Sequence, residues 1–159
     1  MTRFATFLAL LSTAAPAAAK DPYVSNKIIK ETYTVTSSTL TGLIDEMRQK
    51  GPNGYWGYAK TNWRWSSSCQ MRFWATITMP KHKNLNRLSA QDRKIWQDML
   101  DALWEHEMGH VEIGRAWAAE IKRANCKNVD AINAKHRGND AAFDRRTKHG
   151  KLQGVTLKP

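Results

Sequence analysis

Residues 106 to 110 read His-Glu-Met-Gly-His, and the chemistry of that pentapeptide follows from where a helix places its side chains. Positions i and i+4 lie one turn apart on the same face, so two imidazoles can converge on one tetrahedral zinc ion. Glu107, next to the first histidine, leans toward the vacant side of such an ion. There its carboxylate takes a proton from a zinc-activated water and passes it to the leaving amine. The expected roles are zinc ligand for His106 and His110 and general base for Glu107, in hydrolysis of a peptide or amide bond. A shuffled chain with this content of His and Glu shows the motif roughly half a percent of the time, so the match is informative. The bland alternative is a pair of core histidines beside a solvated glutamate, and it requires every buried imidazole to find a partner.

Two histidines leave a catalytic zinc site one protein ligand short. In the continuation Val111-Glu112-Ile113-Gly114-Arg115-Ala116, the glycine and third histidine of the extended motif would fall at Ile113 and Ala116, which excludes that pattern. Glu112 points to the wrong face and Glu120 lies too far along the axis. The third ligand therefore belongs to another element. The candidate segment is Phe143-Asp144-Arg145-Arg146-Thr147-Lys148-His149-Gly150, where a helix runs out into a turn. His149 is the preferred third ligand, and Asp144 is an alternative ligand or a residue that orients an imidazole. His82 and His136, flanked by Lys and Arg, read as solvated.

The elements that must position these groups can be read from periodicity. Ser89 with Asp92 fits a capping box, and Ile95, Met99, Leu103, His106, His110, Ile113, Trp117 and Ile121 then step along one helical face. The run to Asn125 is long for a globular helix, so a kink is expected before the motif or at Gly109 or Gly114. Ahead of it, Thr32 to Thr36 suits a strand. Leu40, Leu43, Ile44 and Met47 form a helical stripe capped by Ser38 or Thr39 and ended by Gly51-Pro52. Tyr58 to Ser66 reads as a second strand, with Trp63 and Trp65 on one face and Arg64 on the other. From Cys69 to Met79 the alternation predicts a third, with Trp74 the one large apolar residue on its polar side and Pro80 as its end. Lys81-His82-Lys83 reads as an exposed connection. A last helix is expected from Asp130 to Arg146, interrupted around Gly138-Asn139. These elements make an α+β domain.

Arg3, the apolar run Phe4 to Leu11 and Ala17-Ala18-Ala19 form a signal-peptide pattern over residues 1–19, leaving residues 20–159 as one domain. No stretch is long enough for a transmembrane anchor, so the expected location is periplasmic or secreted. Cys69 and Cys126, the only cysteines, are expected to form a disulfide that pins the end of the motif helix to the sheet. The formal charge of +11 is spread along the chain. It favours anionic envelope components as surroundings, while the absence of a basic element with stacking platforms argues against a specific nucleic-acid partner.

Taken together, the Tyr33 strand, Gly51-Pro52, Trp63-Arg64-Trp65, Cys69-Gln70-Met71, His-Glu-Met-Gly-His and Phe-Asp-x-x-Thr-x-His-Gly cover nearly all of the chain beyond the leader. In these the sequence resembles the bacterial family called domain of unknown function 922, described as predicted secreted zinc-dependent proteases. The resemblance implies a zincin-like fold: a small mixed or antiparallel sheet packed on a long active-site helix, additional helices, and a final ligand from a downstream helix. The family carries Tyr where this chain has Phe143. The expected function is a secreted zinc metallopeptidase acting on a peptide or protein substrate. The alternative is a non-catalytic exported zinc-binding or cell-envelope binding module.

Overall fold

A computed structural model describes residues 25–158; the signal-peptide pattern lies outside the described residues. Strand β1 (Ser25–Val35) is followed by helix α1 (Leu40–Lys50), strands β2 (Tyr58–Trp65) and β3 (Met71–His82), the long helix α2 (Ala90–Arg123) and helix α3 (Val129–Thr147). Short 3-10 turns stand at Pro52–Gly54, Leu85–Arg87 and Lys151–Gln153. The architecture is α+β, with a mixed three-stranded sheet in the order β1-β3-β2, β1 parallel and β2 antiparallel to the central strand.

The alternation in β3 decides how the layers stack. Met71, Phe73, Ala75, Ile77 and Met79 are buried and form one core with Met99, Leu103, Val111, Ala118 and Ile121 of α2 and with Leu43 and Met47 of α1. The strand runs on through Pro80 to His82 instead of ending at the proline. At Pro80 the register gives β3 a neighbour only on the β1 side, because β2 pairs no further than Thr78, so a residue without an N–H is tolerated there. The first strand begins well before the expected Thr32, at Ser25. Cys69 lies outside β3, with a left-handed backbone at φ 58°.

Helix α1 is capped by Thr39, whose hydroxyl accepts from the Gly42 N–H. Helix α2 is capped by Ser89, whose hydroxyl accepts from the Asp92 N–H. It runs for 34 residues with no break. Its glycines serve close approach, not a kink. A Cβ on Gly109 would collide with the Phe143 ring, and one on Gly114 would stand 2.6 Å from Thr61 Cγ2, so α2 can press onto α3 and β2. Helix α3 is likewise continuous through Gly138-Asn139. The buried stripe of α2 is turned by about one residue from expectation, with Trp96, Val111, Gly114 and Ala118 inside, while Ile95, Ile113 and Trp117 are only half-buried.

Two histidines expected in solvent are inside. His82 is 7% exposed; its Nε2 meets the Ser37 carbonyl at 2.8 Å, its Nδ1 accepts from the Asn84 N–H, and its ring edges onto Trp96. His136 is 4% exposed, stacked on Trp117 and bonded to Glu120 at 2.8 Å. Both have charged sequence neighbours, but a strand or helix turns those neighbours outward and the histidine inward.

Cys69 and Cys126 form the expected disulfide, which ties the start of β3 to the segment after α2. No helix among the described residues is long and apolar enough to cross a membrane. The bridge spans 57 residues, so on the chain-entropy account reduction should cost about 4 kcal/mol, read as a Tm lower by roughly 10–15 °C in calorimetry with and without reductant. An unchanged Tm would show that the bridge constrains little. Gly114→Ala offers a test by sign: an exposed helical site gains about 1 kcal/mol from Ala. Here the contact with Thr61 should make denaturant unfolding easier by about 1–3 kcal/mol, and a stabilised variant would contradict the packing.

Candidate metal centre

His106 and His110 lie one turn apart on α2 with ring centroids 4.9 Å apart and planes at 85°. Helix α3 runs antiparallel to α2 and supplies the facing groups. Asp144 Oδ1 stands 3.3 Å from His106 Nε2 and 3.2 Å from His110 Nε2. His106, His110 and Asp144 thus offer three donor atoms within 4.8 Å of one another. His149 does not share that grouping; its Nδ1 lies 3.5 Å from Asp144 Oδ1 on an exposed side chain. Of the two candidates from the sequence reading, the structure brings Asp144 to the paired imidazoles and leaves His149 outside the grouping.

Each imidazole is held from behind. His106 Nδ1 donates to Gln153 Oε1 at 2.9 Å and His110 Nδ1 donates to Asp140 Oδ1 at 2.7 Å. A proton committed to Nδ1 leaves the Nε2 lone pair free to face the donor cluster. Between the rings sits Phe143, stacked on His106 at 5.1 Å and edge-on to His110 at 5.0 Å, with Gly109 beneath it. The phenyl ring fixes both imidazole planes by contact alone.

The segment after Phe143 folds around these contacts. Thr147 Oγ1 donates to the Phe143 carbonyl and accepts from the Gly150 N–H, closing α3 with Lys148, His149 and Gly150 all left-handed. Gly150, at φ 77°, sits where a Cβ would meet Val155 and His106, so only glycine fits. That turn carries the chain back to Gln153. Asp140 and Gln153 were not anticipated. Asp140 and Asp144 share an i,i+4 spacing that puts two carboxylates on one helical face, a signal in the sequence; Gln153 arrives through a turn and leaves none.

Glu107 is 5% exposed and so is not the solvated surface residue of the bland alternative. It accepts a hydrogen bond from the Ala59 N–H, and burial pushes its carboxyl up to about 7 against the lowering effects of His110 and that bond. Gly57 lets the chain before β2 pass close, since a Cβ there would stand 2.8 Å from Glu107 Oε1. Burial lowers the His106 pKa. Burial acts the same way on His110, but its bond to Asp140 and the charges of Asp140, Asp144 and Glu107 prevail and raise it.

The cluster opens into a cleft of about 380 Å³, walled opposite α2 and α3 by Tyr55, Trp56 and Tyr58 and edged by Arg48 and Lys151. The Tyr33 hydroxyl donates to the Trp56 carbonyl at 2.8 Å, which ties this wall to β1.

No curated protein and no solved structure matches the chain. Residues 30–150 match the family model described as a bacterial protein of unknown function, DUF922. With the Tyr33 strand, the paired histidines and the Thr-x-His-Gly turn all inside the matched span, the chain belongs to that family.

Proposed function

We propose that the protein is an exported zinc-dependent metallopeptidase of zincin-like fold. The observation that supports this most is the convergence of His106 Nε2, His110 Nε2 and Asp144 Oδ1 while both Nδ1 atoms are engaged elsewhere. A tetrahedral zinc ion about 2.0–2.1 Å from nitrogen and oxygen ligands separates them by about 3.3–3.4 Å, close to the 3.3 and 3.2 Å found from Asp144 to the imidazoles. Two imidazoles and a carboxylate are a donor set suited to zinc, and three protein donors leave a position open for chemistry. The disulfide is compatible with an oxidising compartment outside the cytoplasm.

His106, His110 and Asp144 would hold the ion. Zinc bound there supplies Lewis acidity and makes water acidic enough to ionise near neutral pH. Glu107, hydrogen-bonded to the Ala59 N–H within the same cleft, would accept the proton that an attacking water gives up and return it to the nitrogen as the C–N bond breaks. Asp140 and Gln153 hold the imidazoles in the tautomer a ligand needs. Tyr55 and Trp56 offer aromatic surface to the side chains of a peptide.

One observation favours a second reading. His149 Nδ1 lies 3.5 Å from Asp144 Oδ1 but outside the three-donor grouping; a rotation of its exposed side chain that brought it in would close the site with four protein ligands, and a zinc site so closed is structural. The protein would then be a non-catalytic zinc-binding module of the cell envelope.

Metal analysis tests the centre first. Protein purified without chelator should carry one zinc per chain. His106→Ala, His110→Ala and Asp144→Ala should lose it, Asp140→Asn and Gln153→Ala should weaken retention about 10–100-fold, and His149→Ala should keep it. Wild-type protein that stays metal-free when offered zinc would sink the proposal, and loss in His149→Ala with retention in Asp144→Ala would restore His149 as third ligand. Turnover is tested with Glu107→Gln on a panel of fluorogenic peptides. Zinc content should hold while the rate falls by at least about 10²–10⁴-fold; full activity in that variant would rule out Glu107 as the base, and wild-type inactivity across the panel with His149 bound to zinc would favour the second reading.

A further inference from the structure

The side of the sheet turned away from α2 takes no part in the metal centre. In the register, Trp74 lies between Lys27 of β1 and Asn62 of β2, Arg72 lies beside Arg64, and Thr76 beside Lys60. Residues paired across strands point to the same side, as do residues two apart along one strand. Lys27, Lys60, Arg64, Arg72 and Trp74 therefore share a face, opposite to the buried Met71, Phe73, Ala75, Ile77 and Met79. All four cations are exposed and Trp74 is half-buried.

The cations surround the indole. Lys27 is its direct neighbour across the strands, about 5 Å away, and Arg72 precedes it along β3 at about 7 Å. Arg64 and Lys60 take the two diagonals on β2, and the Arg64 guanidinium lies over the ring at 5.9 Å. Among the described residues none of the four is engaged in an ion pair, and Glu31 is the one carboxylate that the register brings to this face. Exposed like charges this close repel one another, and an anion laid among them removes that cost. Asn62, Thr76 and Thr78 add neutral hydrogen-bonding groups beside the ring.

We propose that this face binds an anionic polysaccharide built from uronic acids. An indole offers a flat apolar surface on which the CH face of a sugar stacks. The cations stand within one sugar's reach of it, so the charge belongs on the stacked ring itself, as a carboxylate does in a uronic acid, and Arg64 and Arg72 meet carboxylates with paired N–H donors. A nucleic-acid strand is the poorer match, because it requires successive stacking platforms. Trp63 and Trp65, which would provide them, alternate to the α2 side, where Trp63 packs on Trp117 at 4.5 Å.

The test is calorimetric titration of the purified protein with polygalacturonate oligomers at about 0.15 M salt, where loosely placed charges are screened. The wild type should bind these and not neutral dextran. Arg64→Gln with Arg72→Gln should lower affinity at least tenfold, roughly, and Trp74→Ala should lower it without altering charge. Lys83→Gln with Lys127→Gln, which removes the same charge elsewhere, should leave it within about twofold. Zinc content should be the same in all four proteins, so the outcome is separable from the fate of the metal centre. Absence of binding by the wild type, equal loss in the Lys83/Lys127 variant, or tighter binding of oligodeoxythymidylate through Trp74 would each overturn the proposal. Thermal unfolding of the arginine variant, whose side chains are exposed, checks that any loss is not a loss of fold.

Discussion

The arrangement of the cleft depends on one packing contact, the ring of Phe143 laid on the bare backbone of Gly109. A helix that carries a methyl at that position holds its neighbour off by the thickness of the methyl. With hydrogen there, α3 closes onto α2 until the phenyl ring reaches between His106 and His110. Asp144 is the next residue and Asp140 lies almost one turn earlier, so the same contact delivers one carboxylate to both Nε2 atoms and another to His110 Nδ1. The turn through Thr147 and Gly150 adds Gln153. Three side chains of the candidate site, Asp140, Asp144 and Gln153, thus take their positions from one apolar contact.

Charge then explains why so polar a cluster persists against the core. Glu107 is nearly inaccessible, Asp144 is partly exposed and Asp140 about half exposed. Three carboxyl groups around two imidazoles are costly in proportion to their burial. The structure answers with a gradient: the most buried acid has its carboxyl pushed up to about 7 and accepts from a backbone N–H, while the most exposed can be solvated. A divalent cation among His106, His110 and Asp144 would balance the remainder, which is the electrostatic side of the proposed function.

What the sequence disclosed and what it concealed divide along the same line. The i,i+4 histidines, the helix caps at Thr39 and Ser89, and the alternation of β3 are local, and each reappears as read. The third donor is not local. His149 was preferred because histidine in a turn is free to aim anywhere, yet it is the docking of α3 that decides which side chain meets α2, and that docking brings Asp144 to the paired histidines. Gly109, Gly114 and Gly138 were read as weak points from helix propensity alone. The first two are close contacts, whereas Gly138 has nothing near it and is simply tolerated. His82 and His136 were misplaced because charged neighbours in sequence were taken for neighbours in space. Trp74, by contrast, was visible as an anomaly in the alternation, and only the register to β1 and β2 shows what surrounds it.

The register of α3 against α2 has to be right to within a residue, since a shift of one position turns a helical side chain by about 100°. Several contacts fix it at a distance from the site. Trp117 Nε1 donates to Asn133 Oδ1 at 2.9 Å, Lys135 and His136 both reach Glu120, and the disulfide at Cys126 anchors the reversal between the helices. His136 carries a cost in this role, because among the described residues its buried Nδ1 finds no hydrogen-bond partner, worth about 1–3 kcal/mol. An apolar residue there would avoid the penalty and would lose the bond to Glu120 together with the stacking on Trp117. The unpaired nitrogen is therefore a cost accepted about two turns from Phe143, in return for a register that seats the Phe143 ring between the two imidazoles and brings the Asp144 carboxylate to both Nε2 atoms.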